Sequence, residues 1–396
     1  METLPDGNRR VVYTNYAGQA ILNVFIKMSG AQETNQRWYE YRQYDDGGRT
    51  LLTASSSAVA SYSETQPGLV ELKTGSGLIR VNEYYPSSPG TGGAPNRLRY
   101  EMVKKGSGGN AVKVREWQYV ASPTIGGHTI YRTSKEIEYR SADSNDPDPV
   151  ETKYDYTWQH FQIAEKTITL PTVPVGQNGS GAVEQVLKAY DAYGEMTWRR
   201  NERHYLTKFT YNAAAGALVQ RVEDSAGSGA PWSPLPGPHL DLTTDYSVDD
   251  LGRVVQELGP VHDIDPRSVD PLAPPTAAIS VRRARWTIYH DATYQRWEGM
   301  GFQKVSDNSF TLINPVHIER SDDAMRLIDE IQAKRADTAG PLLPTDIFGQ
   351  ETWVRWTRNN YERSSDVANR RIYFAIPASG DGVQGINYNQ TRMALS

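Results

Sequence analysis

The sequence predicts an all-β protein made of antiparallel hairpins repeated along the chain, and three observations carry that expectation. Turn formers are dense, with 33 Gly and 23 Pro among 396 residues. Between them lie residues that suit a pleated, half-buried surface: 24 Tyr, 9 Trp and 7 Phe, beside many Thr and Val. One turn phrase, aromatic–Asp/Asn–x–x–Gly–polar–apolar, also recurs through the chain.

Composition closes off several alternatives. The aromatic content argues against a disordered chain, and a mean hydropathy of -0.62 leaves no run long enough for a membrane-spanning helix. With 42 basic and 47 acidic residues interspersed, nothing resembles the basic stripe of a nucleic-acid binder. The absence of Cys removes disulfides, thiolate zinc sites and cysteine nucleophiles together. The opening Met1–Gly7 has neither a basic region nor an apolar core, so it does not read as a signal peptide.

Along the chain, Glu151–Pro171 shows the strand period most clearly. Thr152, Tyr154, Tyr156 and Trp158 fall on one side and Lys153, Asp155 and Thr157 on the other. Ala164–Leu170 resumes the alternation after a turn, and similar runs occur at Val112–Val120, Thr129–Tyr139, Trp286–Tyr289 and Trp353–Thr357. The Gly/Ser/Pro/Asp stretches Pro86–Pro95, Ser141–Pro149, Gly176–Gly181, Ala226–Pro238 and Asp263–Pro275 read as loops.

The turn phrase appears as Tyr44-Asp45-Asp46-Gly47-Gly48-Arg49, Tyr190-Asp191-Ala192-Tyr193-Gly194-Glu195 and Val248-Asp249-Asp250-Leu251-Gly252-Arg253. Thr14-Asn15-Tyr16-Ala17-Gly18-Gln19 follows it, and Tyr211-Asn212-Ala213-Ala214-Ala215-Gly216 carries one extra residue. The physics is that of a hairpin: Asp or Asn bonds the backbone two residues on, and Gly supplies positive φ. The flanking aromatic and aliphatic side chains then share one face.

These residues resemble the RHS/YD-repeat family, whose motif is Tyr-Asp-x-x-Gly-Arg-Leu, followed by Gly and Thr-x-Tyr before the next repeat. The match is close in Lys188–Val219, where Leu206-Thr207-Lys208-Phe209-Thr210-Tyr211 leads into the second turn, and good at Tyr44–Leu52 and Val248–Val255. It is weaker at Thr14–Leu22 and at Tyr289–Arg296, which lacks Gly. The resemblance makes Asn15, Gly18, Tyr44, Asp45, Gly48, Arg49, Tyr190, Asp191, Gly194, Tyr211, Asn212, Gly216, Asp249, Gly252 and Arg253 structural repeat-turn residues. It implies part of a curved or spiral β-sheet shell. Residues 1–396 read as a single degenerate array, clear at 10–55 and 185–256 and insert-rich at 56–184 and 257–396.

One interval is contested. Ala324, Leu327, Ile328 and Ile331 have helical spacing behind Ser321, which favours a helix over Ser321–Lys334. Ser321-Asp322-Asp323-Ala324-Met325-Arg326 also occupies the turn frame, with Met325 where Gly belongs, a costly place for Met. Consistency with the neighbouring turns favours a strand, a turn and a strand.

No chemistry-bearing pattern competes with this reading. The seven His, at 128, 160, 204, 239, 262, 290 and 317, include no helical metal pair. His262-Asp263-Ile264-Asp265 and Asp143-Ser144-Asn145-Asp146-Pro147-Asp148 are the best ion candidates, yet such segments are usually solvated turns. No nucleophile elbow or phosphate loop occurs. Tyr44, Tyr154, Tyr156, Trp158, Tyr190, Tyr211 and Trp286 could floor a sugar-binding surface, but ladders filling a repeat core are favoured, with exposed aromatics such as Trp232 left open.

The expected function is therefore non-enzymatic, with no cofactor and no metal: a structural repeat segment of a secreted or cell-surface protein, serving encapsulation or adhesion. The alternative is a carbohydrate-binding or carbohydrate-processing surface built on exposed aromatics and acids. The resemblance implies flanking RHS repeats or an enclosed C-terminal cargo domain as partners, with cell-surface polysaccharide as a further candidate and nucleic acid excluded. The family's self-cleaving, Asp-containing core segment has no match here, so the chain reads as an internal stretch of a longer protein, sticky when isolated because strand edges are left open.

Overall fold

The computed structural model describes residues 1–66, 68–141, 149–265, 278–361 and 367–392, which form two compact units, Met1–Gly194 and Glu195–Leu395. Unit 1 runs β1 (Glu2–Thr3), β2 (Arg9–Thr14), β3 (Ala20–Ser29), β4 (Gln32–Tyr44), β5 (Thr50–Ser55), β6 (Val59–Tyr62), β7 (Val70–Leu72), β8 (Leu78–Tyr84), β9 (Leu98–Lys105), β10 (Val112–Ala121), β11 (Tyr131–Glu138), β12 (Val150–Gln159), β13 (Gln162–Thr169) and β14 (Gln185–Tyr190). Unit 2 runs β15 (Met196–Arg200), β16 (Leu206–Tyr211), β17 (Leu218–Glu223), β18 (Leu242–Val248), β19 (Val254–Ile264), β20 (Ile279–His290), β21 (Gln295–Lys304), β22 (Phe310–Ser321), β23 (Leu327–Ala333), β24 (Trp353–Tyr361), β25 (Val367–Tyr373) and β26 (Tyr388–Arg392). Among the described residues the only helical pieces are single 3₁₀ turns.

The protein is all-β, and its sheets are antiparallel meanders. In unit 2 every strand pairs with the next in sequence. Unit 1 follows the same rule with one detour: β5 pairs with β8, and the β6–β7 hairpin is set aside as a separate ribbon. β12 alternates as its sequence demands, Tyr154, Tyr156 and Trp158 half-buried and Lys153, Asp155 and Thr157 exposed.

Strict sequential pairing sends alternate connections to opposite edges of each sheet. In unit 2 the described turns 212–217, 249–253, 291–294 and 322–326 share one edge. The longer connections 224–241, 334–352 and 374–387 lie on the other edge. Unit 1 places turns 15–19 and 45–49 on one edge, together with the long connection 85–97.

Each unit builds its core by folding an insert over one sheet face. In unit 1, Ala58, Val59 and the β6–β7 ribbon cover Leu22, Val24, Ile26, Tyr41, Ala54 and Ile79. In unit 2, Leu342 and Phe348 of connection 334–352 close over Trp286, Trp297, Leu312, Val316, Ile318, Ile331 and Trp356. Arg335 holds that connection in place, donating to the carbonyls of Asp337, Ala339, Gly340 and Pro341 and to Asp346.

The contested interval is a strand, a turn and a strand: β22 ends at Ser321, and Leu327–Ala333 is β23. The spacing that suggests a helix is an accident of a strand buried on both faces, with Asp329, Ile331 and Ala333 buried and their neighbours half-buried. The ion candidate 143–148 and most of the Asp263–Pro275 loop lie outside the described residues.

Candidate functional site

The recurring turn is a three-residue hairpin loop, a type I turn followed by one left-handed residue. At Asp45 the backbone N–H donates to the Arg49 carbonyl (2.9 Å) and Gly48 N–H donates back to the Asp45 carbonyl (2.9 Å). Asp45 Oδ1 accepts from the N–H groups of Gly47 and Arg49, and Oδ2 accepts from Arg49 Nε at 2.6 Å. One side chain thus satisfies the loop's inner donors and fixes the arginine that leaves it. The hydrogen bond from Arg49 holds the Asp45 carboxyl below the usual carboxylate range.

The same set repeats at Asp249 and Arg253, with Oδ1 accepting from Leu251 and Arg253 N–H and Oδ2 accepting from Arg253 Nε at 2.8 Å. Asn15 keeps the Oδ1 half, accepting from Ala17 and Gln19 N–H, and replaces the ion pair by an amide contact to Gln19. Asp191 accepts from Tyr193 N–H and Asn212 from Ala214 and Ala215 N–H. Gly18, Gly48, Gly194, Gly216 and Gly252 all have φ between 61° and 86°, the conformation their positions require.

Asp322 and Arg326, in the turn frame but outside the repeat-turn residues expected from sequence, complete the set atom for atom. Met325 takes the left-handed place at φ 61°, and in the 291–294 turn Tyr294 does so at φ 51°. A further copy sits on the opposite edge of unit 2: Asn201 accepts from Arg203 and Tyr205 N–H, with His204 left-handed. Its only signal was Asn four residues before an aromatic, too weak without Gly.

The motif's aromatic and arginine positions connect one turn to the next. Tyr44 O–H donates to the carbonyl of Ala20, the first residue after the 15–19 turn. Tyr84 donates to Thr50, Tyr211 to Met196 and Tyr361 to Leu327, each the residue that follows the preceding turn. Arg49 lies 4.7 Å over the Tyr84 ring, Arg253 4.1 Å over Tyr289 and Arg326 4.8 Å over Tyr361. Gln19, in the arginine place, donates to the Gly48 carbonyl. Arg253 also reaches forward to Asp291 with two N–H groups, at 2.8 and 2.9 Å.

Trp286 is 2% exposed and belongs to the unit 2 core, while Tyr44, Tyr154, Tyr156, Trp158, Tyr190 and Tyr211 are half-buried. Trp232 is half-buried as well. Trp356 stacks on Tyr373 at 3.8 Å and donates to the buried Asp329. His262 contacts its own backbone neighbourhood, and Asp263 accepts from Ser280. Among the described residues no cluster of three potential metal ligands occurs.

No protein-family model matches the chain. No curated protein matches it either. Among solved structures, a crystal structure of TcdB2-TccC3 without hypervariable C-terminal region aligns with 91% of this chain and 18% of its own, at 12% identity and a TM-score of 0.36. A crystal structure of TcdB2-TccC3-Cdc42 aligns with 98% of this chain and 20% of its own, at 14% identity and a TM-score of 0.37. A third, of TcdB2-TccC3-TEV, gives 90% and 19% coverage, 9% identity and a TM-score of 0.21. The chain thus spans about a fifth of the length of these proteins, and likeness at this level does not establish a shared family.

Proposed function

We propose that the chain is a non-enzymatic structural segment of a secreted or cell-surface protein of the RHS/YD type, one stretch of a β-sheet wall serving encapsulation or adhesion. The observation that carries the reading is the forward linkage of the turns, in which Tyr44, Tyr84, Tyr211 and Tyr361 each seal the carbonyl behind the preceding turn. The product of such linkage is a sheet edge of fixed spacing. A wall extended by further copies is the natural use of a unit that contacts chiefly its neighbours.

Partners on this reading are flanking repeats and an enclosed segment, and the site of action is outside the cell. The test is electron microscopy of the longer gene product together with limited proteolysis. A hollow, β-walled particle whose enclosed segment resists protease supports the reading. Separate lobes joined by protease-sensitive linkers, with the rest digested at the rate of a free peptide, contradict it. Trp38, half exposed on β4 at 52%, gives the polysaccharide alternative its own probe: saturable quenching of tryptophan fluorescence by a cell-wall polysaccharide, lost in Trp38→Ala.

A further inference from the structure

One face of β12–β14 in unit 1 gathers more positive charge than the one nearby carboxylate, Glu136, offsets. Lys166 on β13 stands directly opposite Tyr156 on β12 and Lys188 on β14. Directly opposed side chains start ~5 Å apart at Cβ, and like charges so placed repel. The Lys166 ammonium lies 4.6 Å from the Tyr154 ring centre and 5.7 Å from that of Tyr156. Burial, then the nearby charge of Lys188, lowers the Lys166 pKa, and Arg132 on β11 adds to the repulsion.

The counter-charge is incomplete. Glu136 is the one carboxylate acting on Lys166, and it already accepts the Tyr154 hydroxyl at 3.1 Å. The Tyr156 hydroxyl is committed to the Thr133 carbonyl at 2.8 Å. Neither Lys166 nor Lys188 has an ion pair among the described residues. The neighbouring lysines on the other face differ: Lys135 and Lys153 both reach Glu151, at 3.3 and 3.6 Å. In a chain of net charge -5, a half-buried surplus of cations on an aromatic floor is out of character.

We propose that Lys166 and Lys188 form a binding site for a tetrahedral oxyanion of the phosphate or sulfate class, seated over Tyr154 and Tyr156. A dianion between the two ammonium groups replaces their repulsion by two charge-assisted hydrogen bonds. A carboxylate would neutralise only one of them. Partial burial strengthens the attraction relative to open water.

The test is calorimetric titration of the full chain with inorganic phosphate, and separately with glycerol phosphate, at constant ionic strength, joined to ¹³C NMR of the lysine side chains. Saturable binding is expected, with the Lys166 and Lys188 signals saturating together and the Lys166 pKa rising. Lys188→Gln should weaken binding by about tenfold, the loss of one charged hydrogen bond, while Lys153→Gln on the opposite face leaves it unchanged. Tighter binding of the ester identifies a ligand-borne phosphate; tighter binding of phosphate identifies the free ion. Shifts that never saturate, that chloride reproduces, or that Lys188→Gln leaves intact while circular dichroism shows the variant folded, overturn the proposal.

Discussion

At the scale of single residues, the turn chemistry separates what Asp does from what Gly does. Asp322 Oδ1 holds the loop and Oδ2 holds Arg326, so Asp322→Asn should retain the loop while losing the ion pair, and Asp322→Ala should lose both. Thermal melts should rank wild type above Asn above Ala; equal melting of Asn and Ala would refute the division of labour. The Asp45 and Asp322 carboxyls titrate below their ordinary value, chiefly because Arg49 and Arg326 hydrogen-bond them. A depressed folded-state pKa contributes stability above the unfolded value of ~3.9 and loses it as pH falls through the folded value, so stability should fall below about pH 4. Asp45→Asn paired with Asp322→Asn should flatten that acid limb.

Met325 and Tyr294 occupy the place that Gly fills elsewhere, and both are exposed, so neither repays its strain by burial. A left-handed side chain costs ~1–2 kcal/mol and Gly costs ~0.5–1 kcal/mol in chain entropy, so Met325→Gly should stabilise by up to ~1 kcal/mol. For a domain of this size that is a rise of ~2–4 °C in melting temperature, read by calorimetry. Gly48→Ala should do the opposite, since the new methyl group meets Gln19 Nε2 at 3.0 Å and keeps the strained φ.

At the scale of elements, hairpins hold to one another through hydroxyls and through inserts. Tyr361→Phe removes one half-buried donor to Leu327 and should cost ~1 kcal/mol, with faster amide exchange at the 322–326 turn. Phe348→Ala uncovers Trp297, against which it packs edge-on at 5.2 Å, and should cost ~3–5 kcal/mol in denaturant unfolding. A cost below ~1 kcal/mol would mean that connection 334–352 is not part of the core.

The strands and their turns were legible in sequence because both have short-range causes. Period-two alternation located β10, β11, β12 and β13 to within two residues, and Asp–x–x–Gly located the turns. What could not be read was long-range. Nothing in Leu342 or Phe348 announces that connection 334–352 closes the unit 2 core, and the Asn201 turn was obscured because His204 stands where Gly was sought, whereas the frame around Asp322 was legible despite Met325. The tyrosine hydroxyl contacts join residues 15 to 34 positions apart, beyond any local pattern.

At the scale of the molecule, the central claim is that in unit 2 the turns 212–217, 249–253, 291–294 and 322–326 share one edge while the long connections 224–241, 334–352 and 374–387 take the other. Because the chain has no Cys, spin labels can be placed in pairs at will. In unit 2, Leu251 and Met325 are exposed tips of turns separated by four strands, which places them roughly 20 Å apart at ~4.8 Å per strand. Asn308 lies in the β21–β22 connection on the opposite edge, a strand length of about 30 Å or more away. Electron–electron dipolar spectroscopy on Leu251→Cys paired with Met325→Cys, and on Leu251→Cys paired with Asn308→Cys, should give a short narrow distance for the first pair and a long one for the second. Equal distances, or a longer first pair, would contradict the repeat architecture and the structural role built on it.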